Sequence, residues 1–393
     1  MIAEIRRRLT SRIPLGWRQL RHNRGRLAVA LAGVAVADIL IFMQLGIMGA
    51  LYETAVTPLR IFNADIVLLS PEARVLGQSG TLPRRRLYQA LGVEGVADGS
   101  TLQIGSVSFR SPKSIRQANV MVFGVDPDFD GFTRPEISAQ LPKLRAADTL
   151  LLDKLTRRPF GAIAAEAERG DIVPVEVTGR TVSIVGLFSL GASFDSDGSA
   201  IVSDQTFLRL FPRNSASSAS AILLKTSPGA DIAAVAQRIR LALPASDTKV
   251  MTAEEYANYI KGYMKDNTPI GFIFTFGVIV GLFIGFAIVY QILSADVNDH
   301  LSEYATLRAM GFTHRYLLGV VFQEAFVLAA LGFLPGILLT FVFYWVLAFG
   351  TELAVTMPVS RPLLVLALTV AMCLLSGAVA TRRLRAADPA EVF

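Results

Sequence analysis

The sequence has little of the side-chain chemistry that enzymes commonly use. It contains one cysteine and three histidines in 393 residues. The cysteine, Cys373, lies in an apolar run near the C-terminus, and His22, His300 and His314 all lie outside the long polar segment 52–268. This composition excludes from the polar segment a disulfide, a Cys-His or Ser-His-Asp nucleophile and most zinc sites.

Nucleotide-binding and metal-binding motifs are also missing. No G-x-x-x-x-G-K-[ST] string occurs, and the histidines lack the HExxH spacing. The string Asp126–Gly131 fits the first half of an EF-hand loop, but the twelfth position is Ile137 instead of Glu, which favours a solvated turn. We therefore predict no catalytic residue, no metal site and no cofactor in this chain, so that any Mg-ATP is bound by another protein.

Four long apolar runs are present, and their spacing is uneven. One run precedes the polar segment and three follow it closely. Each is long enough to cross a hydrocarbon core of about 30 Å as a helix, which needs about 20 residues. The predicted membrane spans are 27–51, 269–293, 317–349 and 363–381.

The arginines predict the orientation of these spans. Eight arginines precede the first span, opposed only by Glu4, and three follow the last span. By the positive-inside rule both termini of this multi-pass protein are cytoplasmic. The loop 294–316 and the tail 382–393 then lie inside, while segment 52–268 and loop 350–362 lie outside. The first apolar run is too long for a cleaved signal peptide, so we expect an anchor.

The polar segment is nearly neutral and reads as a mixed α/β domain. Residues 51–267 contain 24 Lys and Arg against 23 Asp and Glu, so the net charge of +6 comes from segments beside the membrane, where it meets lipid. We therefore reject nucleic-acid binding. Apolar periodicity predicts strands at 65–69, 120–125 and 221–225, a hairpin at 171–187, and helices at 84–91, 204–211 and 230–243.

A capping box, Thr252–Glu255, opens a further helix that runs toward the second span. A helix that continues from the outer domain into the membrane would transmit rigid-body motion.

Three features inside the spans carry polar or packing signals. Asp38 lies near the middle of the first span, where an ionised group is costly, so it marks either a functional site or a hydrogen-bonded packing contact. Glu324 lies nearer the cytoplasmic end of the third span, within reach of an interfacial partner. Gly277, Gly281 and Gly285 form a strip of small residues that allows close helix contact, within one chain or across a dimer.

Two amphipathic segments lie on the cytoplasmic side. Residues 1–26 place Ile13, Trp17 and Leu20 on one helical face opposite arginines, which predicts a helix on the membrane surface. The second segment, Glu303–Gly311 in the loop 294–316, is a predicted short amphipathic helix that ends in glycine and is followed by basic residues.

These segments resemble the MacB/FtsX family of ABC-transporter permeases. The string EYATLRAMG at 303–311 is similar to the family's coupling helix, Gln323-Glu324-Ala325 to its third-span pattern, and the ending DPAEV at 388–392 to its tail. Residues 14–20, 27–46 and 84–91 resemble the DevC type, which belongs to heterocyst-glycolipid exporters and their relatives.

The resemblance implies a four-helix membrane protein with a large MacB-like α/β domain between the first and second helices. It implies a permease subunit that is not an enzyme and that couples ATP hydrolysis by a separate ABC ATPase to periplasmic motion. That motion would drive export through a membrane-fusion adaptor and a TolC-like outer-membrane protein, with the permease as a homodimer. The DevC type implies a lipid or glycolipid as the cargo. The residues it assigns to ATPase coupling are Glu303, Tyr304, Leu307, Arg308, Gly311 and Arg315.

Three other functions fit the same sequence. An FtsX-like subunit would use the same motion to regulate a cell-wall hydrolase, and a lipoprotein-extraction permease would move a different cargo. A membrane-anchored enzyme is disfavoured because segment 52–268 contains no histidine and no cysteine.

Overall fold

A computed structural model describes most of the chain. The described residues are 24–110, 117–129, 131–157, 161–191, 193, 196–301, 303, 306, 310, 313–351 and 355–381. The predicted surface helix, apart from its last three residues, and the predicted tail 382–393 lie outside these ranges.

Long apolar helices lie toward both ends of the described chain, and shorter helices and strands lie between them. The helices are α1 (Arg24–Val56), α2 (Arg85–Leu91), α3 (Pro135–Ser138), α4 (Gly161–Glu168), α5 (Asp204–Leu210), α6 (Ile232–Ala242), α7 (Ala253–Asn267), α8 (Pro269–Asp299), α9 (His314–Thr351) and α10 (Ser360–Ala380). The strands are β1 (Ile66–Leu69), β2 (Leu82–Pro83), β3 (Val96–Arg110), β4 (Gln117–Val125), β5 (Thr149–Asp153), β6 (Val173–Val177), β7 (Arg180–Phe188), β8 (Gly198–Ser203), β9 (Ser218–Ala219), β10 (Ala221–Thr226) and β11 (Lys249–Thr252). Residues Leu51–Thr268 form one compact unit, and the segments before and after it form the other.

The helical unit contains four helices, among the described residues, that are long and apolar enough to cross a membrane. They are α1, α8, α9 and α10, one before the α/β domain and three after it, as the sequence predicts. Each contains most of one predicted span and extends beyond it, because helical backbone satisfies its own hydrogen bonds both in lipid and at the interface. The predicted fold class is confirmed.

Within the described part of the α/β domain, nine strands form one sheet in the order β11-β1-β10-β3-β4-β8-β5-β7-β6. Strand β3 has 15 residues and serves two regions: its first half pairs with β10 and its second half with β4. At its end, Phe109 and Arg110 also pair with β6, which closes the larger region into a ring of strands. The domain therefore has two hydrophobic cores, one inside the ring and one between α2, α6 and the β1–β10 region.

The local predictions for this domain are confirmed. Strands β1, β4 and β10 and helices α2, α5 and α6 fall where the apolar periodicity predicts them. Strands β6 and β7 form the predicted hairpin, and both turn residues, Thr178 and Gly179, have positive φ, as a two-residue hairpin turn requires. The capping box of α7 is present, with Thr252 and Glu255 each accepting the other's backbone N–H.

The predicted continuity between α7 and the second span is wrong. Helix α7 ends at Asn267, Thr268 has an extended backbone (φ −122°, ψ 155°), and α8 begins at Pro269. Proline has no N–H to donate, and its ring disfavours helical backbone in the residue before it. Helix α1, by contrast, runs without a break for 33 residues.

A buried ion pair fixes α2 to the turn that follows α6. Arg86 Nε lies 3.2 Å from Oδ1 of Asp247, and Nη2 lies 2.5 Å from Oδ2, which makes a bidentate contact. The Arg86 side chain is almost fully buried. The hydrogen bond from this guanidinium holds the pKa of Asp247 below its ordinary value.

We expect this ion pair to make the stability of the α/β domain depend on pH. A lowered folded-state pKa means that the contribution is complete above the ordinary aspartate range and is lost as the pH falls through the lowered value. Thermal unfolding of the detergent-solubilised chain from pH 7 to pH 3 measures this. Arg86→Gln should lower the melting temperature at pH 7 and reduce the fall of the melting temperature between pH 7 and pH 3. Arg85→Gln, which changes an exposed neighbour, should have little effect on the melting temperature at either pH. The same fall in melting temperature for the wild type and Arg86→Gln would contradict this contribution of the ion pair.

Candidate functional site

The helical unit holds a charged cluster where the start of α1 meets the end of α8. Arg26 Nη1 donates to Oδ2 of Asp299 at 2.7 Å and lies 3.6 Å from Oδ1 of Asp296. His300 Nδ1 lies 3.8 Å from Oδ2 of Asp296. We call Arg26, Asp296, Asp299 and His300 the Arg26 cluster. It links two helices directly before the segment that contains Glu303.

Glu324 of α9 adjoins this cluster. Its side chain has no exposed surface, and its carboxyl group interacts with that of Asp296. Apart from Asp296, neither Glu324 oxygen has a partner among the described residues. The partner within reach of Glu324 is therefore a second carboxyl group, at the end of α8 that carries the Arg26 cluster, and helix packing buries Glu324 there. Removing two carboxyl groups from water is costly, so the packing around them holds this contact between α8 and α9.

Asp38 lies where α1, α9 and α10 meet. Thr369 Oγ1 of α10 lies 2.5 Å from Oδ1 of Asp38 and 2.8 Å from the Val365 carbonyl, so one hydroxyl proton serves two acceptors. Oδ2 has no partner among the described residues, and Asp38 is fully buried. From α9, Gly336 comes so close that a methyl group there would lie 3.0 Å from Cβ of Asp38. Asp38 thus makes a packing contact between helices; whether it also has a functional role stays a prediction.

The strip of small residues on α8 faces other helices of the same chain. A methyl group at Gly277 would lie 2.4 Å from the Gln44 side chain of α1. At Gly285 it would lie 2.4 Å from Sδ of Met372 and 2.7 Å from Cβ of Ala37, and at Gly281 it would lie 3.1 Å from Ile41. The strip is therefore filled within this chain by α1 and α10, as small-residue helix interfaces are.

The segment assigned to ATPase coupling is only partly within the described residues. Glu303 is helical and exposed, and Arg315 lies in the first turn of α9. Tyr304, Leu307, Arg308 and Gly311 lie outside the described residues, so their coupling role stays a prediction. Among the described residues no group of three or more His, Cys, Asp or Glu side chains is placed to hold a metal ion. In the EF-hand-like string, Asp126 accepts the Asp128 N–H at 3.0 Å and Asp128 pairs with Arg145.

The sequence reasoning missed two groups of residues. The Arg26 cluster joins positions about 270 residues apart, and periodicity carries no information about such pairs. A second strip of small residues, Gly332 and Gly336 of α9, packs against Val34 and Asp38 of α1. Its four-residue spacing is the same signal that identified the strip on α8, so the sequence did contain it.

Two family models match the chain. The model of the MacB-like periplasmic core domain matches residues 27–242, more than half of the chain. The model of the FtsX-like permease C-terminal matches residues 275–389, which include most of α8 and all of the described α9 and α10. No curated protein matches the chain.

Three solved structures resemble the chain at low identity. The extracellular domain of the noncanonic ABC-type transporter YknZ from Gram-positive bacteria is 13% identical over 48% of this chain and 98% of that chain, with a TM-score of 0.34. The periplasmic region of MacB from Actinobacillus actinomycetemcomitans is 11% identical over 51% and 94%, with a TM-score of 0.35. A domain of a permease protein from Porphyromonas gingivalis is 13% identical over 48% and 89%, with a TM-score of 0.30. All three TM-scores are below 0.5, so these structures add no weight to the two family models.

The surroundings of two glycines, one on α8 and one on α9, predict opposite effects for the same substitution to alanine. Gly285→Ala should destabilise the helical unit by about 1–3 kcal/mol, because the methyl group overlaps Ala37 Cβ and overpacking is costly. At Gly319 of α9 no atom of the described residues lies within 4 Å of the new methyl group, so Gly319→Ala should stabilise by up to about 1 kcal/mol through helix propensity. Thermal unfolding of both variants in one detergent measures this. A stable Gly285→Ala would show that α8 does not pack on α1 as described.

Proposed function

The chain belongs to the family of MacB- and FtsX-like ABC transporter permeases, and from this membership we propose that it is the permease subunit of an exporter powered by a separate ATPase. Permeases of this family work with ATPase partners. In our proposal the ATPase binds and hydrolyses Mg-ATP, docks on the segment Glu303–Gly311, and moves the periplasmic domain. This chain supplies no catalytic group and converts the ATPase movement into motion on the other side of the membrane.

The observation that carries this proposal is the continuity of α1. At about 1.5 Å per residue its 33 residues span about 50 Å, well beyond a hydrocarbon core of about 30 Å. Arg26, in its first turn, joins α8 through the Arg26 cluster. Near its other end Glu53 forms ion pairs with Arg60 at 2.7 Å and with Lys261 of α7. A stiff helix with ion pairs near both ends suits the transmission of a displacement.

The backbone break at Thr268 supports a division of roles between the two connections. A displacement along α1 passes through unbroken helical hydrogen bonds. Across the extended Thr268 backbone, α7 and α8 can change their angle without breaking a helix, since hinge residues at element ends absorb such changes. We propose that α1 transmits motion and that Thr268–Pro269 accommodates it.

The remaining parts of the proposal rest on the sequence. Arginines before the first span and after the last span support cytoplasmic termini in an inner-membrane protein. Similarity of residues 14–20 and 27–46 to the DevC type supports lipid or glycolipid cargo, handed to an adaptor and a TolC-like outer-membrane protein. We propose a homodimer of permeases in contact with membrane lipid. An FtsX-like role in regulating a cell-wall hydrolase would share the ATPase and lack the adaptor.

The docking step predicts which proteins co-purify with the chain. Tagged wild-type protein from its native host, extracted in mild detergent, should retain an ABC ATPase and a periplasmic adaptor, identified by mass spectrometry. Leu307→Asp should lose the ATPase, because a charge on the apolar face of the amphipathic segment prevents docking. Leu241→Asp, the same change at a residue 80% exposed in the α/β domain, is the matched control. A hydrolase in place of the adaptor would support regulation, and equal ATPase recovery with Leu307→Asp would refute docking through this segment.

Transmission through α1 predicts that breaking the Arg26 cluster separates ATP turnover from periplasmic motion. In the reconstituted complex, Arg26→Gln should keep at least half of the ATP turnover, and a partly exposed ion pair contributes only about 1 kcal/mol or less to stability. The nucleotide-dependent change in amide exchange at residues 53–61 should disappear. Arg24→Gln, which changes an exposed arginine two residues away, should retain this change in amide exchange. Retention of that change in Arg26→Gln would contradict the proposed route.

A further inference from the structure

A buried carboxyl pair joins α8 to α9 beside the Arg26 cluster. Glu324 has no exposed surface, and Asp296 is 5% exposed. The two carboxyl groups lie within hydrogen-bonding reach of each other. Among the described residues no N–H or O–H group donates to either oxygen of Glu324 or to Oδ2 of Asp296. The pair therefore brings acceptors into contact, and a hydrogen bond between them exists only if one carboxyl group is protonated.

Two ionised carboxylates are strongly disfavoured in such a place. Like charges in contact repel, and a buried site screens the repulsion poorly. A buried carboxylate without a donor is also much less stable than one in water. One proton removes both costs, because a protonated carboxyl group cancels one charge and supplies the missing O–H donor.

The charges around the pair point to the same proton. Among the described residues α1 contributes Arg26, and α8 contributes Asp299 and His300 beside Asp296. Even with a protonated His300, three ionised carboxylates would outnumber the positive charges by one. A proton on the pair restores the balance.

The other helices around the pair add no charge at this point. In α10 a methyl group at Gly377 would lie 3.5 Å from Cβ of Ala325, the residue after Glu324. The one charged residue of α10, Arg361, lies in its first turn, at the opposite end, and the Cys373 thiol lies one turn before Gly377. The other charged positions of α9, 314 and 315, lie in its first turn, about 13 Å before Glu324 along the axis.

The positive neighbours decide which carboxyl group holds the proton. Arg26 Nη1 lies 3.6 Å from Oδ1 of Asp296, and His300 Nδ1 lies 3.8 Å from Oδ2. Glu324 has no partner other than Asp296 among the described residues. A positive neighbour favours the ionised form of a carboxyl group, so Asp296 keeps the charge and Glu324 holds the proton.

We propose that Asp296 and Glu324 form a proton-binding site between α8 and α9. At neutral pH Glu324 holds one proton and donates it to the Asp296 carboxylate. The proton enters from water beside Asp299 and His300, whose side chains are 60% and 22% exposed. Separation of α8 from α9 at this end would expose both carboxyl groups to water and release the proton, so that proton binding and helix contact are linked. This site is a property of the chain by itself and does not rest on the function proposed above.

Infrared spectroscopy of the full chain in lipid nanodiscs tests the site, because a protonated carboxyl group has a C=O stretching band separate from carboxylate and amide bands. At pH 7 the wild-type spectrum minus that of Glu324→Gln should contain one such band, whereas Asp38 is common to both samples and cancels. The carboxamide of Glu324→Gln can donate to Asp296 as the protonated carboxyl group does, so this variant should fold. Glu72→Gln, the same change at an exposed residue, should give no difference band.

The variant Arg26→Gln gives a second reading that leaves both carboxyl groups in place. Without the positive charge beside Asp296 the proton is held more strongly, so the midpoint of the band's pH titration should rise by about one unit. Arg24→Gln, which changes an exposed arginine, should leave the midpoint unchanged. Sodium chloride in place of choline chloride at constant pH should leave the band unchanged as well.

The linkage adds a readout of stability. Where the folded chain holds more protons than the unfolded chain, stability falls as the pH rises. From pH 6 to pH 9 the melting temperature should therefore fall further in the wild type than in Glu324→Gln, which keeps every other titrating group.

Four results would overturn the proposal. They are an equal protonated-carboxyl band in the wild type and Glu324→Gln at pH 7, equal falls in melting temperature for these two proteins, an equal titration midpoint in the wild type and Arg26→Gln, and loss of the band in sodium, which would identify a metal cation as the ligand. If Glu324→Gln does not fold, the Arg26→Gln titration and the sodium comparison decide.

Discussion

The motion that we propose depends on the unbroken backbone of α1. A helix that leaves the hydrocarbon core keeps its internal hydrogen bonds, so Arg24–Val56 is stiff over its whole length. Its first turn carries Arg26, bonded to the end of α8, and its last turns carry Glu53, bonded to Arg60 and Lys261. Were α1 broken at Leu51 as the other connection is broken at Thr268, neither connection between the two units would be a continuous helix, and the proposed transmission would have no route.

The interior of the helical unit combines very close backbone approach with a few buried polar groups. Glycines on α8 and α9 let both helices approach α1, and between these closely packed helices Asp38 accepts a hydrogen bond from the Thr369 hydroxyl. Glu324 and Asp296 contact each other, and Glu324 has no other partner among the described residues. In a medium that offers no water, such groups keep a helix arrangement specific because each alternative arrangement leaves them worse placed. The unit is thus fixed by shape at its centre and by charge at the end that carries the Arg26 cluster.

Sequence patterns predicted what depends on neighbouring residues and failed where distant residues decide. The four spans, the Thr178-Gly179 hairpin and the capping box at Thr252 are local signals, and the structure contains all of them. The break at Thr268 was also local, since a residue before proline favours extended backbone, but the prediction extended the helix from the capping box at Thr252 into the apolar run after Pro269. The Arg26 cluster, the Thr369 hydroxyl on Asp38 and the closure of the ring by Phe109 on β6 need the tertiary fold. Membership of the permease family adds the ATPase partner, which no pattern in this chain encodes by itself.

The most direct test of this account measures two distances in the ATPase-bound complex in nanodiscs, with and without a non-hydrolysable ATP analogue. One spin-label pair lies along α1, at Val29 and Ala55, about 39 Å apart at the helical rise. The other pair spans the Thr268 break, at Glu254 of α7 and Phe283 of α8. The account predicts that the nucleotide leaves the first distance unchanged and shifts the second. A change along α1 with a constant distance across Thr268 would show that α1 bends and that the assigned roles of the two connections are wrong.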